Sequence, residues 1–374
     1  MKLAIQSSTD LYDAQRPPHA WAVPGGFGES TRADSLLPHI RDLIHSNKTQ
    51  IFPSANTVEI FDLALGPPQY RRQDRYHRSL VVNYRSQGIT DFIKIWLKFR
   101  PGLYHIYPLL AACQSRLDPK VFPTPYFAGS GPNEDESFLA TAHVDGTSLR
   151  NRLLRLAALR RTGELECVFR SNGAKMRQFH DVFASPEVIA VASVVDRVTR
   201  LLRESRYFTG AEKNIVLACL DRCRSLLGEK TLPAVLTHND WLLRNILVTP
   251  CGTDYVVDCD SMRYPPNWRW VDVAYLLLNV ESQRKWYPLI TRRMMEELWR
   301  AFWSGYIGEK GLPDGLTGKG LAAVLYIVRV QWLVGAAVRP PYFEIMAGPS
   351  SQRLLISLKR SVLLGHYSLF GFLE

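Results

Sequence analysis

The chain has 374 residues, 46% of them hydrophobic, enough to bury a large core in one large domain or two moderate ones. Its net charge of +11 suits an anionic ligand such as a triphosphate, yet no tight basic cluster interleaved with aromatics, no zinc spacing and no low-complexity tail marks a nucleic-acid binder. No secretory apolar region follows Met1, the apolar stretch near Val324–Val338 is interrupted by Arg329 and Gln331 and is shorter than the ~20 residues a membrane span needs, and the six scattered cysteines give neither a disulfide framework nor a metal set, so a cytoplasmic protein without a membrane span is expected.

In chain order, residues 1–50 read as an N-terminal extension with Pro17-Pro18, a turn at Pro24–Gly28 and one helix near Ser35–Ser46. Gly25-Gly26-Phe27-Gly28 follows no strand and precedes no Lys-Ser/Thr pair, so it is an ordinary turn rather than a phosphate loop. Residues 57–66, 76–84 and 91–99 read as three strands, with a turn at Ser86-Gln87-Gly88 between the last two. In the third strand Ile93, Ile95, Leu97 and Phe99 share one face, and Phe92, Lys94, Trp96 and Lys98 share the other. Asp145-Gly146 reads as a turn before a helix that Thr147 or Ser148 would cap. Beyond Asp272 the chain is mostly helical by periodicity, with breaks at Pro288, 311–320 and Pro340-Pro341.

The chemistry concentrates in residues 236–260. Two apolar runs, Ile246-Leu247-Val248 and Tyr255-Val256-Val257, flank a turn at 250–254 that contains Gly252, which predicts a β-hairpin. His238, Asp240 and Asn245 stand just before the first strand, and Asp258 and Asp260 just after the second. Closing the hairpin brings these ends together, so that one carboxylate faces an amide and two carboxylates. Phosphoryl transfer from ATP uses such a set: one carboxylate accepts the proton of the attacking hydroxyl, while an Asn and an Asp hold Mg²⁺ against the phosphates. Asp260 has two readings, a further metal ligand or a solvated strand-end residue.

His238-Asn239-Asp240-x-x-x-x-Asn245, followed thirteen residues later by Asp258-Cys259-Asp260, resembles the catalytic core of the aminoglycoside phosphotransferase / choline kinase-like family of small-molecule kinases. The resemblance implies an α+β, bilobal protein-kinase-like fold with a small antiparallel β N-lobe over 51–141. A larger, mainly helical C-lobe over 142–374 would carry the catalytic loop and acceptor pocket. It implies catalytic roles for Asp240 and Asn245 and metal binding by Asn245, Asp258 and Asp260. The lysine holding the α/β-phosphates would be Lys94, set in Phe92-Ile93-Lys94-Ile95, with Lys98 in reserve. Residues 138–146 resemble the strand and hinge that read adenine through backbone groups, at Ala142 and Val144. Asp272 matches a later Asp that would receive backbone N–H groups from the catalytic loop, and His180 would be a packed core histidine.

Three departures from the family accompany these matches. The loop from Gly66 to Arg75 has a single Gly and carries Arg71, Arg72 and Arg75, Arg244 stands where the family usually has Gly, and no acidic residue occurs from Ile95 to Leu117 to pair with the lysine. From Asp260 onward nine acidic residues face fourteen basic ones, a balance that suits a neutral or anionic acceptor better than a polycationic one. The expected activity is ATP- and Mg²⁺-dependent phosphorylation of a small-molecule hydroxyl. The alternative is a catalytically weak kinase-like nucleotide-binding or regulatory module.

Overall fold

The computed structural model describes residues 31–338 except 54–57, 66–68, 73–74, 101, 119–120, 131–136 and 162, together with 359, 362 and 363. The turns expected at residues 17–28 and the break at 340–341 lie outside the described residues, as do the side chains of 66–76. The chain forms two compact units: Met1–Thr147 with Leu247–Asp260, and Ser148–Ile246 with Ser261–Glu374.

The first unit begins with helices α1 (Thr31–Ser46) and α2 (Lys48–Ile51). Strands β1 (Glu59–Leu65), β2 (Gln69–Arg72), β3 (Arg75–Ser86) and β4 (Ile89–Phe99) follow, then helix α3 (Ile106–Arg116) and strands β5 (Pro125–Ser130) and β6 (Ser137–Ala142). The sheet runs in the order β1-β3-β4-β6-β5, with β2 paired to β3, and every pair is antiparallel. The turn joining β3 to β4 takes positive φ at both Gln87 (φ 53°) and Gly88 (φ 80°), the conformation a two-residue hairpin requires. The predicted alternation in β4 holds: Ile95, Leu97 and Phe99 are buried, and they pack with Leu80, Val82, Phe127 and Phe138. Ile40 and Ile44 of α1, one turn apart, join the same cluster and are fully buried, each contributing about 1.5–3 kcal/mol. This part of the predicted extension is therefore core.

Residues 247–260 complete the first unit with most of the hairpin β10 (Ile246–Val248) and β11 (Asp254–Val256), to which the two-residue β7 (Thr147–Ser148) adds an edge. The Thr249 N–H donates to Thr253 O at 2.8 Å across the turn, and Gly252 takes φ 85°. A Cβ on Gly146 would stand 3.0 Å from Val248 O, so a side chain there would require the neighbouring backbone to give by a few tenths of an ångström.

The second unit is mainly helical. Helices α4 (Leu149–Ala158) and α5 (Gly163–Val182), strand β8 (Ala184–Ala190), helices α6 (Val191–Glu204) and α7 (Gly210–Leu227) and strand β9 (Thr231–Thr237) precede the catalytic loop. Strand β12 (Arg263–Trp268) and helices α8 (Trp270–Trp286), α9 (Arg292–Ile307) and α10 (Gly318–Val338) follow it. Ser148 caps α4, accepting from Asn151 N at 3.3 Å, as the sequence predicts. Helices α5 and α9 nearly touch: a Cβ on Gly173 would lie 2.1 Å from Phe302 O, and one on Gly305 would lie 1.9 Å from Arg170 O. The close contact allows Phe302 and Tyr306 to pack into the core beside α5. Of the aromatic residues beyond Asp260, Trp268, Trp270, Trp299, Phe302, Trp303, Tyr306 and Tyr326 are core. Among the described residues no helix is long and apolar enough to cross a membrane.

Candidate active site

In the second unit, β9 runs directly into His238-Asn239-Asp240, and Asp272 near the start of α8 fixes that loop. The Asp272 carboxylate is fully buried and accepts from His238 N at 2.8 Å and Asn239 N at 2.7 Å. Asn239 adopts φ 60°, tolerable for Asn, and its side-chain amide donates to Ser261 O at 3.2 Å. His180, also fully buried, places Nε2 3.1 Å from Asp272 and Nδ1 3.1 Å from the Tyr306 hydroxyl. Burial holds the His180 pKa below its ordinary value against the opposing pull of Asp272, and the ring bridges Asp272 and Tyr306. His238 is fully buried; its Nδ1 accepts from Asp240 N at 3.3 Å, placing the ring proton on Nε2. Both histidines are buried, and Asp272 receives loop N–H groups as expected.

Asp272→Ala would strand the two backbone donors and the His180 ring in a dry interior. A loss of about 3–5 kcal/mol in unfolding free energy is expected, measurable as a lowered denaturant midpoint.

Asp240 projects from this fixed loop with its side chain 18% exposed. Asn245 Nδ2 donates to Asp240 Oδ2 at 2.7 Å and to Asp240 O at 2.8 Å. Both amide hydrogens of Asn245 are thus spent on Asp240, which leaves the amide oxygen as the group able to ligate a metal. Arg244, 54% exposed, reaches both carboxylate oxygens of Asp240 at 3.2 Å. The pair Asp240–Asn245 and the cation at the atypical Arg244 position therefore form one cluster.

In the first unit, Lys98 meets the residues that follow the hairpin. Its ammonium contacts Asp258 Oδ1 and lies 2.5 Å from Asp260 Oδ1, while Arg100 Nη1 lies 2.8 Å from Asp260 Oδ2. The side chains of Lys98, Asp258 and Asp260 are only 11%, 15% and 8% exposed. Burial raises the Asp260 pKa, with Lys98 opposing and Asp258 adding to the rise. Asp258 adopts φ 68°, a strained conformation for a non-glycine residue and of the kind that collects at functional sites.

Lys94, the lysine favoured from sequence, is exposed, and the structure brings Lys98 to the carboxylates instead. Both lysines share a strand face, but Lys98 lies four residues further along β4, opposite Leu139 of β6. Ala142 N–H already donates to Thr124 O at 2.8 Å, so it has no hydrogen to offer a base. His143 N–H is likewise taken, by Lys94 O at 3.2 Å, whereas Val144 N–H has no such partner among the described residues. Trp96, on the same face as Lys98, stacks with His77 at 5.5 Å and meets His143 at 5.7 Å. Sequence reasoning missed Arg100 and this aromatic group; continuing the two-residue alternation from Lys98 would have pointed to Arg100.

The sequence pattern of the phosphotransferase enzyme family matches residues 104–306, more than half of the chain. The chain belongs to this family. The matched span contains the whole catalytic loop, the hairpin and Asp272, and it assigns this phosphotransferase its general activity. A search of curated protein sequences returns no match. Among solved structures, a thermostable mutant of aminoglycoside phosphotransferase APH(4)-Ia in ternary complex with AMP-PNP and hygromycin B is 13% identical, with a TM-score of 0.50 over 85% of this chain and 98% of that one. Another mutant of that enzyme, with ADP and hygromycin B, is also 13% identical, with a TM-score of 0.50 over 87% and 98%. A Plasmodium vivax ethanolamine kinase is 13% identical, with a TM-score of 0.47 over 92% and 97%. The phosphotransferase therefore has the α+β protein-kinase-like fold that the sequence predicts.

Proposed function

We propose that the protein is an ATP-dependent kinase that phosphorylates a hydroxyl of a small molecule. The observation that carries this reading is Lys98 lodged against Asp258, a cation for phosphate beside a carboxylate for metal. Asp240 would orient the acceptor hydroxyl and take its proton, and Lys98 would hold the α/β-phosphates. The base would lie near Trp96 and Val144, with the Ala142 carbonyl as a further contact. ADP and AMP-PNP in the fold neighbours accord with this choice of nucleotide.

The donors fit magnesium. Asp258 and the Asn245 amide oxygen are hard ligands, and Mg²⁺ is usually bound by one or two carboxylates with substrate phosphates. When bound, the ion would neutralise charge on the transferring phosphoryl group. We assign the nucleotide end to 51–141 together with 247–260, and the catalytic loop and acceptor end to the rest of 142–374, with helix α1 of the expected 1–50 extension packed into the first unit's core. We take the cytoplasm, where ATP is available, as its compartment.

For the acceptor, we infer a neutral or anionic, sugar-like or alcohol-bearing metabolite or natural product. Arg244 stands beside the base, where a guanidinium favours carboxylate or phosphate over an ammonium group. Tyr275 and Trp332, 6.4 Å apart edge to face and both partly exposed, offer an aromatic wall of the kind that lines ring-binding pockets.

The nucleotide assignment is tested by paired lysine variants. Lys98→Ala should lower ATP consumption with a competent acceptor by on the order of 10²-fold, and Lys94→Ala should leave it near wild type. Steady-state ADP release measures both. The reverse ranking would return the phosphate lysine to Lys94.

A further inference from the structure

A kinase-like lysine ordinarily takes its carboxylate partner from the helix after its strand. Here that helix is α3, and neither it nor any residue from Ile95 to Leu117 is acidic. The carboxylate comes from the opposite end of the unit's sequence. We propose that Asp260 is the positioning residue for Lys98, anchored in turn by Arg100, and that it is not a metal ligand. The proposal rests on the preceding reading that Lys98 holds nucleotide phosphates.

Three observations support it. First, both Asp260 oxygens are engaged by cations, Oδ1 by Lys98 at 2.5 Å and Oδ2 by Arg100 at 2.8 Å. A divalent ion at Asp260 would face two fixed positive charges at close range. Second, Arg100 is itself held by its backbone. Its N–H donates to Ser137 O at 3.0 Å and its carbonyl accepts from Ser137 Oγ at 2.5 Å. Ser137 Oγ also accepts from Leu103 N at 2.8 Å, and Ser137 is 1% exposed. The chain Ser137–Arg100–Asp260–Lys98 thus runs from the sheet core to the ammonium. Third, Asp260 and Lys98 are nearly dry, where a charge pair is strong and its disruption costly.

The consequence is a division of labour between two carboxylates one residue apart. On nucleotide binding Asp258 would give up Lys98 to the phosphates and be left free to hold the metal, while Asp260 retains the lysine. Helix α3 supplies no carboxylate to this arrangement, so placing the lysine does not depend on a helix swinging inward.

The test uses the full chain, with Mg²⁺ and ADP as probes. Asp260→Asn and Arg100→Gln should weaken ADP binding at saturating Mg²⁺ on the order of ten- to a hundred-fold, with the Mg²⁺ concentration for half-maximal binding unchanged. Arg100→Lys should restore most of the affinity. Asp258→Asn, the metal control, should shift the Mg²⁺ requirement. A raised Mg²⁺ requirement in Asp260→Asn, with normal affinity once Mg²⁺ saturates, would make Asp260 a metal ligand and overturn the proposal. Acylation of Lys98 by an amine-reactive reagent, followed by peptide mass spectrometry without nucleotide, reads the clamp separately. It should speed several-fold in Asp260→Asn and in Arg100→Gln, and unchanged rates in both would overturn the clamp. Wild-type protein that binds no Mg²⁺-ADP would refute the kinase reading itself, while the acylation result would still judge the Asp260–Lys98 pair.

Discussion

Asp240→Asn is expected to reduce phosphoryl transfer by about 10²–10⁴-fold while nucleotide affinity stays close to wild type. The substitution keeps size and hydrogen-bonding shape. It removes the negative charge that would accept the hydroxyl proton and that holds Arg244 at 3.2 Å and Asn245 at 2.7 Å. The loop itself should survive, because Asp272 fixes it through the N–H groups of His238 and Asn239 rather than through Asp240. Single-turnover transfer and nucleotide titration on one preparation separate the two effects. Near wild-type transfer would remove Asp240 from the mechanism.

Asp258→Asn is expected to abolish Mg²⁺-dependent turnover and, unlike Asp240→Asn, to impair nucleotide binding as well. The change deletes the charge of the proposed metal ligand and one of the two carboxylates facing Lys98, while Asp260 remains to hold the ammonium. The fold should persist, with circular dichroism unchanged. ADP release measured across a Mg²⁺ titration decides the matter: an unaltered metal dependence in folded protein would sink the assignment of Asp258.

The catalytic loop was legible because its signal is local. A hairpin between two polar clusters appears in the sequence as two apolar runs around a turn, and its flanking residues keep their spacing after folding. The three N-terminal strands were legible for the same reason, through alternation and the Gln87-Gly88 turn. What alternation cannot supply is position along a strand. Lys94 and Lys98 have the same phase, and only the fold brings one of them to Asp258 and Asp260. The absent acidic residue between Ile95 and Leu117 was likewise visible, but its replacement comes from about 160 residues further along the chain, a pairing set by tertiary structure. Ala142 illustrates a related gap: the strand could be read, but the capture of its N–H by Thr124 O depends on a neighbouring segment.

The most direct measurement of the central claim is transfer of label from γ-labelled ATP, with Mg²⁺, to a panel of neutral and anionic hydroxylated metabolites. The account predicts a labelled small molecule with wild-type protein, ADP formed in equal amount, and no product above background with Asp240→Asn. Stoichiometric nucleotide binding by wild type, with no label passing to any acceptor or to water, would contradict it and make this chain a nucleotide-binding module.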